Sequence, residues 1–280
     1  MNGPSNRQPS RAQWLRRLAM RRHDRVAFVF SGGGPLAAMQ VGAARALLER
    51  GIKPDLVVGT SAGALNATFT AFHPTVEGSR DLERVWSGLT DQEMFPGGRF
   101  KASWARMVVR GNRVFENSGL KKVIEHNLPG ARFEDSQIPL AIVATELETG
   151  NEKLFTSGGL LQPLLASAAL PSVFPPITID GTVYIDGGVA NNVPIAPAVA
   201  LGAKTLYVMD ATSHSHQRRP LERPMDYLLH AFTLARSQRL GIDLAAFSEK
   251  VRIEMVPLTG IGEYIPFASM SYSKRLIESG

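Results

Sequence analysis

Three short segments combine glycine with a residue that can act as a nucleophile, a base or an oxyanion donor. They are Ser31-Gly32-Gly33-Gly34, Gly59-Thr60-Ser61-Ala62-Gly63 and Asp186-Gly187-Gly188. Attack of a serine on an ester needs a nucleophilic hydroxyl, a base that takes its proton, and N–H donors for the oxyanion that forms. Each segment provides a candidate for one of these parts, so the first hypothesis is a serine hydrolase.

The middle segment is a G-x-S-x-G motif with a favourable context. It follows an apolar stretch at 56–58 and opens directly into a predicted helix at 62–72. This order is typical of a nucleophile elbow, a sharp turn that holds the serine in a strained backbone conformation. We expect Gly59 and Gly63 to lie where a side chain would collide with neighbouring backbone. The alternative is a tight turn in which Ser61 only caps the helix.

The first segment lies between a predicted strand at 25–31 and a predicted helix at 36–50. Consecutive glycines let backbone N–H groups approach a ligand closely, as an oxyanion hole requires. The same glycines fit the dinucleotide fingerprint G-x-G-x-x-A, which needs an acidic residue at the end of the second strand. Here Asp55 stands at the start of that strand, which disfavours a dinucleotide site.

The third segment places Asp186 after a short predicted strand at 183–185. Alone, Asp-Gly-Gly is a common turn. A rival mechanism is a Ser-Asp-His triad in that chain order, for which the candidates are the three histidines after Asp186: His214, His216 and His230. None of them lies in a recognisable motif.

Metal and thiol chemistry find little support in the sequence. The chain has no cysteine, which excludes disulfides, thiolate metal sites and a cysteine nucleophile. No His, Asp or Glu residues show metal-ligand spacing. We therefore expect neither a metal nor a cofactor.

Strands alternate with helices from residue 25 to 73 and again from 140 to 210, which indicates an α/β fold with a mainly parallel sheet covered on both faces. Further strands are predicted at 140–147, 153–156, 204–210 and 251–256. Further helices are predicted at 159–170, 194–201 (N-capped by Asn192), 224–250 and from about 267. Residues 74–136 carry several large aromatics and predicted helices at 80–88, 101–109 and 117–127. This segment is predicted as a helical insertion, either a lid or acyl pocket or ordinary core.

Composition suits one large domain at 25–280, because 44% of the 280 residues are hydrophobic and 20% are charged. The net charge is +6, and residues 1–24 form a basic, flexible arm that could meet anionic lipid headgroups or remain a solvated tail. The basic excess does not continue into an aromatic patch, so no nucleic-acid partner is expected. The sequence shows neither a membrane-spanning run nor a secretory leader, which predicts a cytoplasmic protein, either free or peripheral at the membrane.

Taken together, the three segments resemble the patatin-like phospholipase family in type, order and spacing. Residues 166–194 are also similar to the family's second conserved block, and the resemblance covers roughly 25–210. It implies a three-layer α/β/α fold and a cofactor-free lipid acyl hydrolase with a Ser–Asp dyad, acting on lipid or fatty-acyl esters. A non-catalytic lipid-binding protein on the same fold is the remaining alternative, which the intact serine and aspartate disfavour.

The resemblance also implies a role for each residue of the site. Ser61 would be the nucleophile and Asp186 the general base. Gly33 and Gly34 would donate to the oxyanion, while Gly32 would shape the same oxyanion loop; Gly59, Gly63, Gly187 and Gly188 would support the motifs. One departure is clear: family members commonly carry Arg or Lys two residues after the glycine triplet, where this chain has Pro35 and Leu36. A preference for anionic phospholipids is therefore in doubt.

Overall fold

The computed structural model describes residues 25–95, 115–171, 173–212, 224–259, 261–262, 265 and 269–280. Three segments of the sequence lie outside these residues: the basic arm at 1–24, the predicted helix at 101–109 and a basic stretch at 213–223 that is predicted as a loop.

Eight strands form one central sheet. They are β1 (Val26–Phe30), β2 (Leu56–Thr60), β3 (Leu140–Glu146), β4 (Glu152–Phe155), β5 (Ile177–Ile179), β6 (Thr182–Asp186), β7 (Thr205–Met209) and β8 (Arg252–Met255). Their order is β5-β6-β3-β2-β1-β7-β8, with β4 also paired to β3. Five neighbouring strands run parallel: β3, β2, β1, β7 and β8. The other three strands, β4, β5 and β6, pair in antiparallel fashion. The predicted mainly parallel sheet is confirmed.

Helices cover both faces of this sheet. They are α1 (Ala38–Glu49), α2 (Ala62–Phe72), α3 (Val76–Gly88), α4 (Asp91–Met94), α5 (Ser118–Asn127), α6 (Leu161–Ser167), α7 (Ile195–Ala200), α8 (Pro224–Phe247) and α9 (Ser273–Glu278). Successive side chains of β1 point to opposite faces: Phe28 and Phe30 pack with the layer of α1 to α6 and α9, and Ala27 and Val29 with the layer of α7 and α8. The predicted three-layer α/β/α fold is confirmed.

Several predictions about individual elements are wrong. The short elements β5 and α4 were not predicted. Helix α3 begins at Val76 instead of residue 80, because the Thr75 side chain caps it there, and α9 begins at Ser273 instead of about residue 267. Helix α6 ends at Ser167, three residues before Leu170, because the residue preceding Pro171 is biased away from helical geometry. Asn192 does not cap α7, whose N-cap is Pro194 without a side-chain bond; the Asn192 side chain donates to the carbonyl of Gly32 instead, at 3.4 Å.

The helices of the predicted insertion pack on the α2 side of the molecule. Trp86 of α3 is buried, and its indole N–H donates to Asn66 Oδ1 at 2.8 Å.

Within the described ranges, no helix combines the length and apolar character needed to cross a bilayer.

The sheet register brings the three glycine segments to one level. Thr60 of β2 stands beside Val143 of β3, and the next residue of β3, Ala144, stands beside Asp186 of β6. On the other side of β2, Phe30 of β1 pairs with Gly59. The oxyanion loop, Ser61 and Asp186 therefore emerge at neighbouring points of one sheet edge.

Candidate active site

Ser61 occupies a sharp turn between β2 and α2. Its backbone angles are φ 54° and ψ −128°, a region that favours glycine and is costly for serine. The flanking glycines make the turn possible. A Cβ on Gly59 would stand 2.4 Å from the carbonyl oxygen of Gly63, and one on Gly63 would stand 2.2 Å from that of Ser31. The predicted collision with neighbouring backbone is confirmed.

The hydroxyl of Ser61 donates to Oδ2 of Asp186 at 2.6 Å. The other carboxylate oxygen, Oδ1, accepts the N–H of Gly188 at 2.7 Å. Thr145 on β3 donates to the backbone carbonyl of Asp186 at 2.9 Å, and the amide of Asp186 donates to the carbonyl of Ala169 at 3.0 Å. Asp186 is therefore held at its backbone and at both carboxylate oxygens.

Burial raises the pKa of Asp186 to about 6, because only 3% of the residue is exposed and the charged form loses hydration. The hydrogen bonds from Ser61 and Gly188 and the positive charge of Arg236 act in the opposite direction and limit the rise. The carboxylate is consequently ionised at neutral pH and more basic than an exposed aspartate. These are the properties required of a base that takes the proton of Ser61.

The glycines of the oxyanion loop divide into two kinds. The N–H of Gly32 donates to the carbonyl of Asn192 at 3.0 Å, so this glycine shapes the loop and its N–H cannot serve an oxyanion. Gly33 and Gly34 line the cavity beside Ser61. Within the described residues, no hydrogen bond uses the N–H of Gly33 or of Gly34, which leaves both donors able to receive an oxyanion.

Gly187 and Gly188 allow the turn that follows Asp186, here called the aspartate turn, to pack closely against β3 and Asn192. A Cβ on Gly187 would stand 2.3 Å from the carbonyl oxygen of Val143. One on Gly188 would stand 2.8 Å from Oδ1 of Asn192 and 3.0 Å from Oδ1 of Asp186. Any side chain here would displace the carboxylate or the sheet.

An apolar cavity of about 250 Å³ opens at Ser61 and Asp186. Its walls come from α2 to α5 and the segment after α6: Leu65, Phe69, Leu82, Val85, Trp86, Leu89, Met94, Phe95, Leu120, Val123, Ile124, Leu128, Leu170 and Phe174. Many of these side chains also belong to the main hydrophobic core. The described part of the insertion is thus both core and cavity wall, and the cavity has the shape and polarity to hold a hydrocarbon chain.

The family model for patatin-like phospholipases matches residues 28–199. This chain belongs to that family. It is 28% identical over 211 residues to patatin-like phospholipase domain-containing protein 7 of Mus musculus, covering 74% of this chain and 15% of that protein. It is 29% identical over 189 residues to lysophospholipase NTE1 of Mycosarcoma maydis, covering 67% of this chain and 10% of that protein. The chain therefore spans a small fraction of the length of the relatives it matches.

Among solved structures, VipD from Legionella pneumophila aligns with a TM-score of 0.44 and 13% identity, over 92% of this chain and 67% of that one. The family assignment of this chain rests on its sequence. It also decides against the dinucleotide-binding interpretation of the glycine loop.

Sequence analysis missed several side chains that hold this patatin-like site. Ser167 of α6 accepts the N–H of Ser61 at 2.8 Å and donates to the carbonyl of Val143 at 2.6 Å. Gln40 of α1 donates to the carbonyls of Ser31 and Met209, both at 2.9 Å, and so ties together the ends of β1 and β7 below the oxyanion loop. A serine or a glutamine within a helix carries no signal of such a role.

Arg236 was also missed. It lies on α8 and lines the cavity with Ser61 and Asp186. Burial lowers the pKa of its guanidinium, and the negative charges of Asp186 and Asp210 oppose that effect. An arginine in the middle of a long helix reads as a solvated residue, so only the tertiary structure places it here.

The histidines divide between those that the structure describes and those that it does not. His73 and His126 line a separate cleft between α3 and α5, away from Ser61. His214, His216 and the side chain of His230 lie outside the described residues, so the triad alternative is left to experiment. Among the described residues, no cluster of three or more His, Asp or Glu side chains could hold a metal ion.

Proposed function

We propose that this patatin-like phospholipase hydrolyses fatty-acyl esters of lipids, with residues 25–280 as the catalytic domain and Ser61 and Asp186 as a catalytic dyad. The observation that carries the proposal is the 2.6 Å hydrogen bond from the Ser61 hydroxyl to Asp186 at the mouth of an apolar cavity. A nucleophile, a base and a hydrocarbon-binding wall meet at this point.

In the first half of the proposed reaction, Asp186 takes the hydroxyl proton while Ser61 Oγ attacks the ester carbonyl carbon. The carbonyl oxygen becomes an oxyanion that faces the N–H groups of Gly33 and Gly34. Collapse of this intermediate breaks the bond to the alcohol oxygen. The alcohol leaves with the proton from Asp186, and the acyl group stays on Ser61.

In the second half, Asp186 removes a proton from water, and the resulting hydroxide attacks the acyl carbonyl carbon. The oxyanion forms again beside Gly33 and Gly34. Its collapse breaks the bond to Ser61 Oγ, which recovers the proton from Asp186, and the fatty acid is released. The chain's own residues supply each proton transfer in this cycle.

The substrate class that we propose is a monoacyl lipid or another singly acylated ester. Two observations support it: a relative carries the name lysophospholipase, and the oxyanion loop is followed by Pro35 and Leu36 instead of a basic residue. Strongly anionic diacyl lipids should be poorer substrates, because Pro35 and Leu36 provide no cation directly after the glycine triplet to pair with their headgroup.

A panel of lipids in which every acyl chain is oleoyl, while the headgroup and the number of chains differ, tests this proposal. Oleate release is measured from lysophosphatidylcholine, monooleoylglycerol and dioleoyl phosphatidylglycerol, with Ser61→Ala as the inactive control. We expect release from the two monoacyl lipids by the unmodified protein and none by the variant. A folded protein that releases oleate from none of them would exclude the proposed function, and a preference for phosphatidylglycerol would exclude the proposed substrate class.

The proposal extends to peripheral contact with anionic membranes through residues 1–24, which contain six arginines together with Trp14, Leu15 and Leu18. Deleting this arm should weaken binding to anionic vesicles most at low salt, while turnover of a soluble short-chain ester stays unchanged. Equal vesicle binding with and without the arm would show that it is a solvated tail.

A further inference from the structure

The described lining of the cavity contains one cation, Arg236, and one anion, Asp186. Asp186 is buried and Arg236 is half-buried, and the remaining described lining is hydroxyl, backbone or apolar. A single positive charge placed in such a low-dielectric site acts strongly on the ionisation of a neighbouring carboxyl.

The two charged groups face each other across Gly188. The point where a Cβ on Gly188 would stand lies 3.0 Å from Oδ1 of Asp186 and 3.5 Å from Nη1 of Arg236. Helix α8, which carries Arg236, packs against the 3-10 turn Gly187–Val189 that follows Asp186. The approach therefore requires glycine at position 188, because a side chain there would occupy the space between guanidinium and carboxylate.

The other elements around Asp186 present neutral groups. Helix α6 contributes Ser167 to the site, β3 contributes Thr145, and the turn before α2 contributes Ser61. Asp210, which follows β7, is a second carboxylate that interacts electrostatically with Arg236. Its Oδ1 also accepts hydrogen bonds from the amide and hydroxyl of Thr212, at 2.9 and 2.7 Å. The positive charge of Arg236 therefore interacts with two carboxylates, and one of them, Asp186, is the proposed base.

We propose that Arg236 is a positioning residue that holds Asp186 in its ionised, proton-accepting form. The negative charge of Asp210 partly offsets the positive charge of Arg236 and so weakens this effect. The inference rests on the proposed function, because it assigns Asp186 the role of base. Burial raises the pKa of Asp186, and the positive charge of Arg236 opposes part of that rise, in agreement with this geometry. In this role Arg236 acts through Asp186 and forms or breaks no bond of the substrate.

The test is the pH dependence of kcat/KM for a soluble short-chain ester, with hydrolysis monitored through the protons that it releases. Wild-type activity should rise with a midpoint near pH 6, where Asp186 loses its proton. Arg236→Gln should move this midpoint upward by about one pH unit or more. For a shift of one unit the loss should be about fivefold at pH 6, approach tenfold at pH 5 and below, and largely disappear above pH 8. Arg236→Lys keeps the positive charge, so its midpoint should stay close to the wild-type value.

Asp210→Asn provides a second variant with the opposite sign, which also serves if Arg236→Gln does not fold. Removing the competing carboxylate should move the midpoint to lower pH, a result that general structural damage would not give. Arg252→Gln is the matched control, because it removes one arginine charge from an exposed position of β8 and should leave the midpoint in place.

Three results would overturn the role of Arg236. One is an unmoved midpoint in folded Arg236→Gln or in Asp210→Asn. Another is an equal loss at every pH. The third is a loss confined to phosphate-bearing substrates, which would make Arg236 a headgroup contact. In each case the wild-type protein is still an active esterase, whereas a wild-type protein without esterase activity would reject the proposed function itself.

Discussion

The hydroxyl of Ser167 lies 2.8 Å from the backbone nitrogen of Ser61 and accepts its hydrogen bond. The same hydroxyl donates to the carbonyl of Val143 at 2.6 Å. Ser167 is fully buried. The backbone N–H of Ser61, the proposed nucleophile, is thus fixed to β3 through one side chain from α6, and the turn at Ser61 depends on residues distant in sequence.

Ser167→Ala should therefore affect both stability and rate. It leaves the N–H of Ser61 and the carbonyl of Val143 without this partner, so the free energy of unfolding should fall by about 1–3 kcal/mol. A displaced nucleophile should also lower kcat by about tenfold or more, with KM nearly unchanged. Urea unfolding and steady-state kinetics measure the two effects.

Ser136→Ala is the matched control for this variant. Ser136 is also buried and donates to the carbonyl of Phe133 at 2.7 Å, but it does not line the cavity. The Ser136→Ala variant should have a lower free energy of unfolding than the wild type and an unchanged kcat. Equal kcat in the two variants would contradict the positioning role of Ser167.

The raised pKa of Asp186 predicts a pH-dependent stability. The ordinary value is 3.8 and the folded value about 6, so the native state binds the proton more tightly than the unfolded state. This group therefore favours the native state most at low pH, and its contribution falls as pH rises from about 4 to about 6. Asp186→Asn cannot ionise, so its stability relative to wild type should rise over this window by up to roughly 3 kcal/mol and then level off. Paired urea titrations measure the difference, and a flat difference would show that Asp186 is not perturbed.

Histidine replacements separate a dyad from a triad. A triad enzyme loses several orders of magnitude in rate when its imidazole is removed. In a dyad, His214→Ala, His216→Ala and His230→Ala should each retain most ester hydrolysis, whereas Asp186→Asn should suppress it in a folded protein. One histidine variant as damaging as Asp186→Asn would assign the base to that histidine.

The cavity wall predicts a dependence on acyl-chain length. Val123 of α5 lines the cavity, and Val123→Phe fills part of the space available to a chain. The kcat/KM for a p-nitrophenyl palmitate should fall by about tenfold relative to the butyrate. Val199→Phe, in the opposite helical layer, is the matched control and should leave the ratio unchanged. A ratio unchanged in Val123→Phe as well would place the acyl chain elsewhere.

The sequence predicted the parts of the site that are encoded locally. Ser61 and Asp186 each stand at the end of a short apolar strand and beside glycines that a tight turn requires. Because the residue type, the turn and the strand coincide within a few positions, the pattern is specific without knowledge of tertiary contacts.

The missed parts depend on contacts between distant positions. Ser167 meets Ser61 across 106 positions and Asn192 meets Gly32 across 160. The prediction for Asn192 was wrong because an asparagine shortly before a helix usually caps it, and a tertiary hydrogen bond took its side chain instead. Arg236 likewise reaches the site only because α8 packs on the aspartate turn.

Covalent labelling of Ser61 tests the central claim most directly. A fluorophosphonate reacts with an activated serine hydroxyl, and intact-mass and peptide mass spectrometry locate the adduct. We expect one adduct, on Ser61, which forms more slowly in Asp186→Asn, is absent in Ser61→Ala and persists in Ser136→Ala. An adduct on another residue, or a folded wild-type protein that forms none, would contradict the assignment of Ser61 as the nucleophile.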